Sequence, residues 1–319
     1  MKISLQKLLG VSALCCLTML AAGGGRPHAF GSESLQLRVF VGEADSYGVT
    51  STLIYGKTEA ILVDSQFRKS QATRLANLVS ATGKRLKAIF ITHPDYDHYI
   101  GTVVLRGRFP DVRIFMTAAA LDEFKRTSAK YLAALKASAP SETPDRLPTP
   151  EVLPTTELTV DGQAVDVIKD YQGDVLRTSN SILWIPSLKA VIAGDVVFNE
   201  VHPWLADSTP RSRLAWRESL RLIAALCPRL VVAGHKKNAQ VQDSPRAIAS
   251  MEEYLDGFDV AIKSASSAEE VVVAMKRRYP DWAQDKLLAA SAKVAFSSRN
   301  GPRQPPKAPS WARGARLGK

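Results

Sequence analysis

Two histidines and two aspartates fall within six residues, in the stretch Thr92-His93-Pro94-Asp95-Tyr96-Asp97-His98. Neutral imidazole together with carboxylate forms a donor set that suits zinc, manganese or iron better than calcium or magnesium. Pro94 breaks regular structure, so alternate side chains of the loop can turn toward one point. His93 and Asp95 can then serve one metal while Asp97 and His98 serve a second. The plainer alternative is a polar loop in which Asp97 caps a following helix. Burying four such groups without partners would be costly, and this favours the metal reading.

Three later positions repeat the device. Val191-Ile-Ala-Gly194-Asp195 is an apolar run ending in glycine and a carboxylate, and Leu230-Val-Val-Ala-Gly234-His235 is its counterpart ending in an imidazole. Gly173-Asp174 sits in a turn ahead of another strand-like run. Each alone is weak, since Gly-Asp is a common turn; their repetition carries the argument. Of the five histidines, His28 lies near the N-terminus and outside the expected folded domain, leaving His93, His98, His202 and His235 for a shared site.

The elements that must position these residues alternate between two periods. Residues 35–41, 48–55 and 60–64 read as strands separated by glycine-containing turns. Residues 68–82 form an amphipathic helix stopped at Gly83, and an apolar strand then leads into His93. Residues 112–116 predict a further strand and 118–137 a long helix, while 140–154 is a proline-rich connection. The segments 157–160, 164–169, 181–185 and 190–193 suggest an antiparallel second sheet. A helix over 211–227, a strand over 230–233 and helices over 245–264, 268–278 and 282–296 complete the pattern. Strand and helix in alternation imply an α/β layer structure.

Composition bounds the rest. With 45% apolar residues among 319, the chain can bury a sizeable core and is neither disordered nor fibrous. Lys2 and Lys7, an uncharged run over 8–22 and small residues through Ala29 have the layout of a secretory signal peptide over 1–29. Export to the periplasm or beyond would remove Cys15 and Cys16 and leave Cys227 with no partner for a disulfide. The net charge of +11 suggests nucleic acid until it is located. The leader and the tail over 298–319 hold nine of the uncompensated cations, and the body between is about +2. No specific nucleic-acid partner is therefore expected. The proline- and glycine-containing tail reads as disordered and offers at most a weak contact with an anionic surface. The expected organisation is a signal peptide (1–29), a main domain (30–260), a helical extension (261–297) and the basic tail.

From about residue 35 to 251 the chain resembles the metallo-β-lactamase superfamily. The family motif His-x-His-x-Asp-His aligns with His93-Pro-Asp95-Tyr-Asp97-His98, and the Gly-Asp and Gly-His strand ends match Asp195 and His235. The resemblance implies an αββα sandwich with the site along one edge of two sheets. It implies two divalent metal ions, zinc foremost. One would be held by His93, Asp95 and Asp174, the other by Asp97, His98 and His235, with Asp195 bridging. Asp64 matches an early buried aspartate that holds the metal-bearing loops.

Two positions depart from the family. Asp95 stands where the second histidine is usual, and Asp174 where a Gly-His is usual. Oxygen donors move preference toward iron or manganese, and four carboxylates offset the charge of two divalent ions almost fully, so a bound water is acidified less. The leading expectation is a hydrolase of ester, lactone, amide or phosphoester-type small molecules by a metal-activated water, with Asp97 orienting the nucleophile and His202 a candidate acid. The alternatives are an iron-dependent, diiron redox enzyme on the same ligands and a binding protein without metal.

Overall fold

The computed structural model describes residues 34–175 and 178–299. The signal peptide expected over 1–29 lies outside them, as does the basic tail beyond Arg299. Alternation in the first described residues folds into β1 (Gln36–Val41), β2 (Thr50–Tyr55) and β3 (Glu59–Val63), each antiparallel to its neighbour. Helix α1 (Lys69–Ser80) then returns the chain to β4 (Arg85–Phe90), which lies parallel to β3. Short helices α2 (Tyr96–Tyr99) and α3 (Thr102–Arg108) lead to β5 (Arg113–Met116) and the long α4 (Ala118–Ser138). The expected proline-rich connection contains a 3-10 turn over Pro140–Glu142 and a two-residue strand, β6 (Glu151–Val152), parallel to β5. This completes a six-stranded sheet in the order β1-β2-β3-β4-β5-β6.

The second sheet begins with β7 (Glu157–Val160), β8 (Gln163–Tyr171), β9 (Asn180–Ile185) and β10 (Ala190–Ile192), antiparallel as expected. After β11 (Phe198–Asn199), helix α5 (Pro210–Ala225) crosses over to β12 (Leu230–Val232), which joins β10 in parallel. The crossover helix is the physical reason for this departure from a purely antiparallel sheet. Strand β13 (His235–Lys236) pairs with β11 in a separate parallel ribbon. Helices α6 (Arg246–Ser264), α7 (Ala268–Arg278) and α8 (Asp285–Arg299) end the described chain.

Three apolar clusters hold these elements in four layers. Ile61, Val63, Ala88 and Phe90 of the first sheet meet Val165, Leu183, Ile192 and Val232 of the second. The intervening residues Leu62 and Ile89 face outward onto Leu75, Val79, Leu121 and Phe124 of α1 and α4. On the far side Ile182, Val191 and Val231 pack on Trp216 and Leu220 of α5 and on Met251 and Phe258 of α6. Strands β3 and β4 are buried on both faces, so they read as continuous apolar runs rather than as alternation. The result is the expected αββα sandwich.

The C-terminal helices are part of this core. Helix α6 runs unbroken through the boundary expected at residue 260, and Val271, Met275, Leu288 and Ala292 belong to the same cluster as Trp216. His202 is bound to this layer and not to the metal-type cluster, which corrects the expectation that it serves as a catalytic acid. Its backbone N–H donates to Ala283 O (2.9 Å), its Nδ1 lies 2.9 Å from the Tyr254 hydroxyl, and its ring tilts onto Trp282. Its Nε2 is 3.7 Å from Asp285 Oδ1.

Burial lowers the pKa of His202 to about 4, against the opposing field of Asp285. The unfolded chain takes up this proton near pH 6.5 while the folded chain refuses it until about pH 4. Its contribution to stability is therefore complete above the unfolded value and lost as pH falls through that window. Between pH 7 and 5 the loss is about 2 kcal/mol. Urea titrations of His202→Asn at the two pH values are expected to show a pH dependence smaller by that amount.

Candidate metal centre

The residues that could hold metal come from the ends of β4, β8, β10 and β12, and the surrounding backbone explains why they converge. Asp64 follows β3 in a left-handed conformation (φ 60°). Its carboxylate accepts from the backbone N–H of Thr92 (2.9 Å), from the Thr92 hydroxyl (2.9 Å) and from His98 Nδ1 (2.9 Å). The carbonyl of His98 accepts in turn from Ser65 N (2.8 Å) and Ser65 Oγ (2.9 Å). The loop from 92 to 98 is thus tied at both ends to the residues after β3. Asp95 stands at the position that would cap α2 but makes no side-chain capping bond, and Asp97 lies inside the helix. The capping alternative is not what these carboxylates do.

All three imidazoles are oriented in the same sense. His235 Nδ1 lies 3.1 Å from the carbonyl of Tyr47, which can only accept, so the proton is on Nδ1. His98 donates through Nδ1 to Asp64. The Thr92 hydroxyl gives its own proton to Asp64 and accepts from His93 Nδ1 at 2.9 Å. Each ring in its neutral form therefore turns the lone pair of Nε2 inward, the arrangement by which outer partners fix a metal-binding histidine.

Around those three nitrogens stand the carboxylates. Asp195 lies between them, with His235 Nε2 at 3.0 Å and His93 Nε2 at 3.8 Å from Oδ2, and His98 Nε2 at 3.2 Å from Oδ1. Asp97 Oδ2 is 3.5 Å from His235 Nε2 and 3.9 Å from His98 Nε2. Asp95 Oδ2 is 4.0 Å from His93 Nε2. Donor atoms lie within 4.8 Å of one another in three sets: His93 with Asp95 and Asp174, Asp97 with His98 and His235, and His93 with His98 and Asp195. The first two are the ligand sets expected for the two metals, and the third places Asp195 between them.

Two observations show that this cluster fits a cation. Among the described residues His93 Nε2 and Asp174 Oδ1 are buried with no hydrogen-bond partner, although each would be costly to leave so. The protonation equilibria are also in conflict. Burial and the neighbouring carboxylates push Asp95 and Asp174 well above the usual carboxylate range. Burial opposes the charged form of Asp195 too, but His235, His98 and His93 outweigh it and hold that carboxyl well below its usual value. Burial lowers His93 to about 3. A divalent cation relieves both the crowding of carboxylates and the exposure of inward lone pairs.

The strand-end glycines are needed for close approach. Gly194 has φ 49°, in the left-handed region, and a β-carbon on it would lie 2.8 Å from Thr92 Oγ1. A β-carbon on Gly234 would lie 2.0 Å from Asp195 Oδ1.

A protein-family model, that of the metallo-beta-lactamase superfamily, matches residues 44–235. The chain belongs to the metallo-beta-lactamase superfamily. Solved structures agree on the fold. A metallo-beta-lactamase family protein from Thermus thermophilus is 18% identical with a TM-score of 0.56, over 80% of this chain and 91% of that one. A beta-lactamase domain protein from Burkholderia ambifaria is 16% identical with a TM-score of 0.57, over 81% and 84%. A metallo-beta-lactamase from Pontibacter korlensis is 16% identical with a TM-score of 0.51, over 72% and 97%. A search of curated proteins returned no match.

The expected ligand residues lie together in the structure, whereas His202 lies apart from them, bonded to the C-terminal helical layer. Sequence reasoning missed three groups that the fold brings to the site. Thr92 relays between Asp64 and His93. Asn180, buried beside Gly173, has an amide with no partner on either atom among the described residues. Burial raises the hydroxyl of Tyr131 on α4 well above the usual phenol range, and the charges of Asp95 and Asp174 add to this. No periodic or motif signal marks any of them.

Proposed function

We propose that this superfamily member is a metal-dependent hydrolase of small molecules with an ester, lactone, amide or phosphoester bond. The observation that carries the reading is the convergence of three inward Nε2 atoms and four carboxylates in a buried cluster with unpartnered donors. His93, Asp95 and Asp174 would hold one divalent cation and Asp97, His98 and His235 the other, with Asp195 reaching both. When bound, such cations polarise the reacting oxygen and lower the pKa of water. Asp97 turns Oδ2 toward His235 and His98, and its carboxylate would orient the attacking water by accepting a hydrogen bond from it. Asp64 and Thr92 hold the imidazoles in the tautomer that leaves Nε2 free.

Zinc is the first expectation, and the four carboxylates favour iron or manganese as the alternative. Iron would support the redox reading on the same ligands. The leader-type pattern over 1–29 supports a site of action outside the cytoplasm.

The test is the metal content of protein purified without added metal, compared with Asp95→Ala. About two equivalents of zinc or manganese, falling to about one in the variant, support the hydrolase and direct screening to esters, lactones and phosphoesters. Two equivalents of iron transfer the proposal to a redox enzyme. No metal in folded protein of either kind overturns both.

A further inference from the structure

Between the end of β13 and the start of α6 the chain encloses a cavity of about 650 Å³. Its walls are the residues after β11, the loop over 237–245, the first turns of α6 and Trp282, and no candidate metal ligand lines it. The loop is held around this space rather than collapsed into it. Asn199 Nδ2 donates to Gln242 O (3.0 Å), and Lys237 N donates to Asn199 O (3.1 Å). Asn238 Oδ1 accepts from Gln240 N (3.0 Å), and the buried Lys236 ties Asp243 through an ion pair of 2.8 Å. A space of this size with fixed walls is what a small-molecule site requires.

The charges on these walls do not serve the fold. A helix concentrates positive potential at its N-terminus, where acids stabilise it and cations destabilise it. Helix α6 nevertheless begins with Arg246, carries no acid in its first turn and receives no side-chain cap from Pro245. Arg246 is exposed and has no ion-pair partner among the described residues. Lys237 adds a second cation, its Nζ 3.9 Å from Glu200 Oε2, while Lys236 is matched by Asp243. With Glu200 set against Lys237, the cavity keeps the charge of Arg246 and the positive end of α6. An anion complements both. Most of the remaining lining is carboxamide and hydroxyl, from Asn238, Gln240, Gln242, Ser244 and Ser250. Such groups donate and accept hydrogen bonds alike, as the hydroxyls of a sugar do. Trp282 is the aromatic member of the lining, and its ring is fixed by stacking on Tyr254 at 5.0 Å with 9° between the planes.

We propose that this cavity binds an anionic sugar, with its carboxylate or phosphate between Arg246 and the start of α6 and its hydroxylated ring against the carboxamides and Trp282. A bare inorganic anion would use only the cationic end, and an apolar ligand would strand the carboxamides without partners. A fixed indole gives the C–H face of a sugar ring an apolar surface to cover. The inference is independent of the hydrolase reading, because no candidate metal ligand contributes to the cavity.

The test is isothermal titration calorimetry of the full chain, purified without added metal, at neutral pH and low salt. The probes are glucuronate, glucose 6-phosphate, glucose, acetate and inorganic phosphate. One or both sugar anions are expected to bind at least about tenfold more tightly than glucose and than the bare ion with the same group, the scale of one charge-assisted hydrogen bond. Preference for the carboxylate or for the phosphate ester identifies which anion the site takes, and either supports the inference. Arg246→Gln is expected to lower that affinity by at least about tenfold. Its melting temperature is expected to be unchanged or slightly raised, since the variant removes a cation from a helix N-terminus, so misfolding does not explain the loss. Asp195→Ala, which disturbs the metal-type cluster instead, is expected to keep the affinity. Absence of binding by both sugar anions, a bare ion binding as tightly as its sugar, or an unchanged affinity in Arg246→Gln overturns the inference. So does loss of binding in Asp195→Ala, which would assign it to the metal centre.

Discussion

Asp195→Ala is expected to reduce metal content to below about one equivalent and to lower kcat/KM by on the order of 10³-fold, while the metal-free protein still folds. Both of its oxygens face imidazoles, with His98 on one side and His235 and His93 on the other, so its loss removes a donor from each expected site. The effect on the metal-free fold is smaller than the burial suggests. Removing one partner of a buried ion pair commonly costs about 3–5 kcal/mol because a charge is left stranded. Here the stranded groups are imidazoles. Burial already disfavours the charged forms of His98 and His235, and it is Asp195 above all that holds them above their usual pKa. Without it the opposing effect of burial gains weight and the neutral forms are favoured. The measurement pairs elemental analysis with a urea titration of metal-free protein. A wild-type metal content in the variant would show that Asp195 is not a ligand. A collapse of the metal-free fold would show that it is mainly structural.

The difference between legible and illegible parts of this site follows from how each residue is encoded. His93, Asp95, Asp97 and His98 lie side by side after an apolar strand, so one local pattern exposes them. Asp195 and His235 are 40 residues apart and are legible only because each follows the same strand-glycine device. The fold pairs those devices by placing β10 and β12 in parallel, with Ile192 opposite Val232. His202 follows Asp195 by seven residues, and that proximity misleads. The chain turns at Glu200, which has φ 56°, and hydrogen bonds between 200–202 and Ala283 carry the histidine to the C-terminal helices. Proximity in sequence has no force across such a turn. Tyr131 is illegible for a different reason. A single tyrosine in a 21-residue helix changes no period and matches no motif. Its placement depends on how α4 lies against α2, which the sequence specifies only through the packing of the whole layer. The apolar stretch of β4 is legible as a strand, but that α6 runs past residue 260 into the same core as Trp216 is a fact of tertiary packing.

Gly234→Ala is expected to destabilise the protein by at least about 3 kcal/mol and to disrupt metal binding as well, although it adds only one methyl group. The added carbon would lie 2.0 Å from Asp195 Oδ1, 2.6 Å from Gly194 C and 2.7 Å from Gly194 O. A flexible side chain could move aside, but two of these three atoms are backbone. The Gly234 backbone is itself pinned on both sides. Its N–H donates to Gly194 O (2.9 Å) and Val197 O (3.0 Å), and its carbonyl accepts from Thr50 N (2.7 Å). Relief therefore requires separating the ends of β10 and β12, which are the positions that bring Asp195 to His235. Gly107→Ala is the informative control. It lies in α3 with nothing within 4 Å of the position its β-carbon would take, so there the substitution is expected to be neutral or to stabilise by about 0.5–1 kcal/mol. Denaturant midpoints and metal content of the two variants separate a general cost of losing glycine from the steric requirement at the site. Equal small effects from both would show that the strand ends can part without loss of the cluster. A large loss confined to Gly234→Ala would show that close approach of two backbones, as much as the identity of the ligands, builds this metal centre.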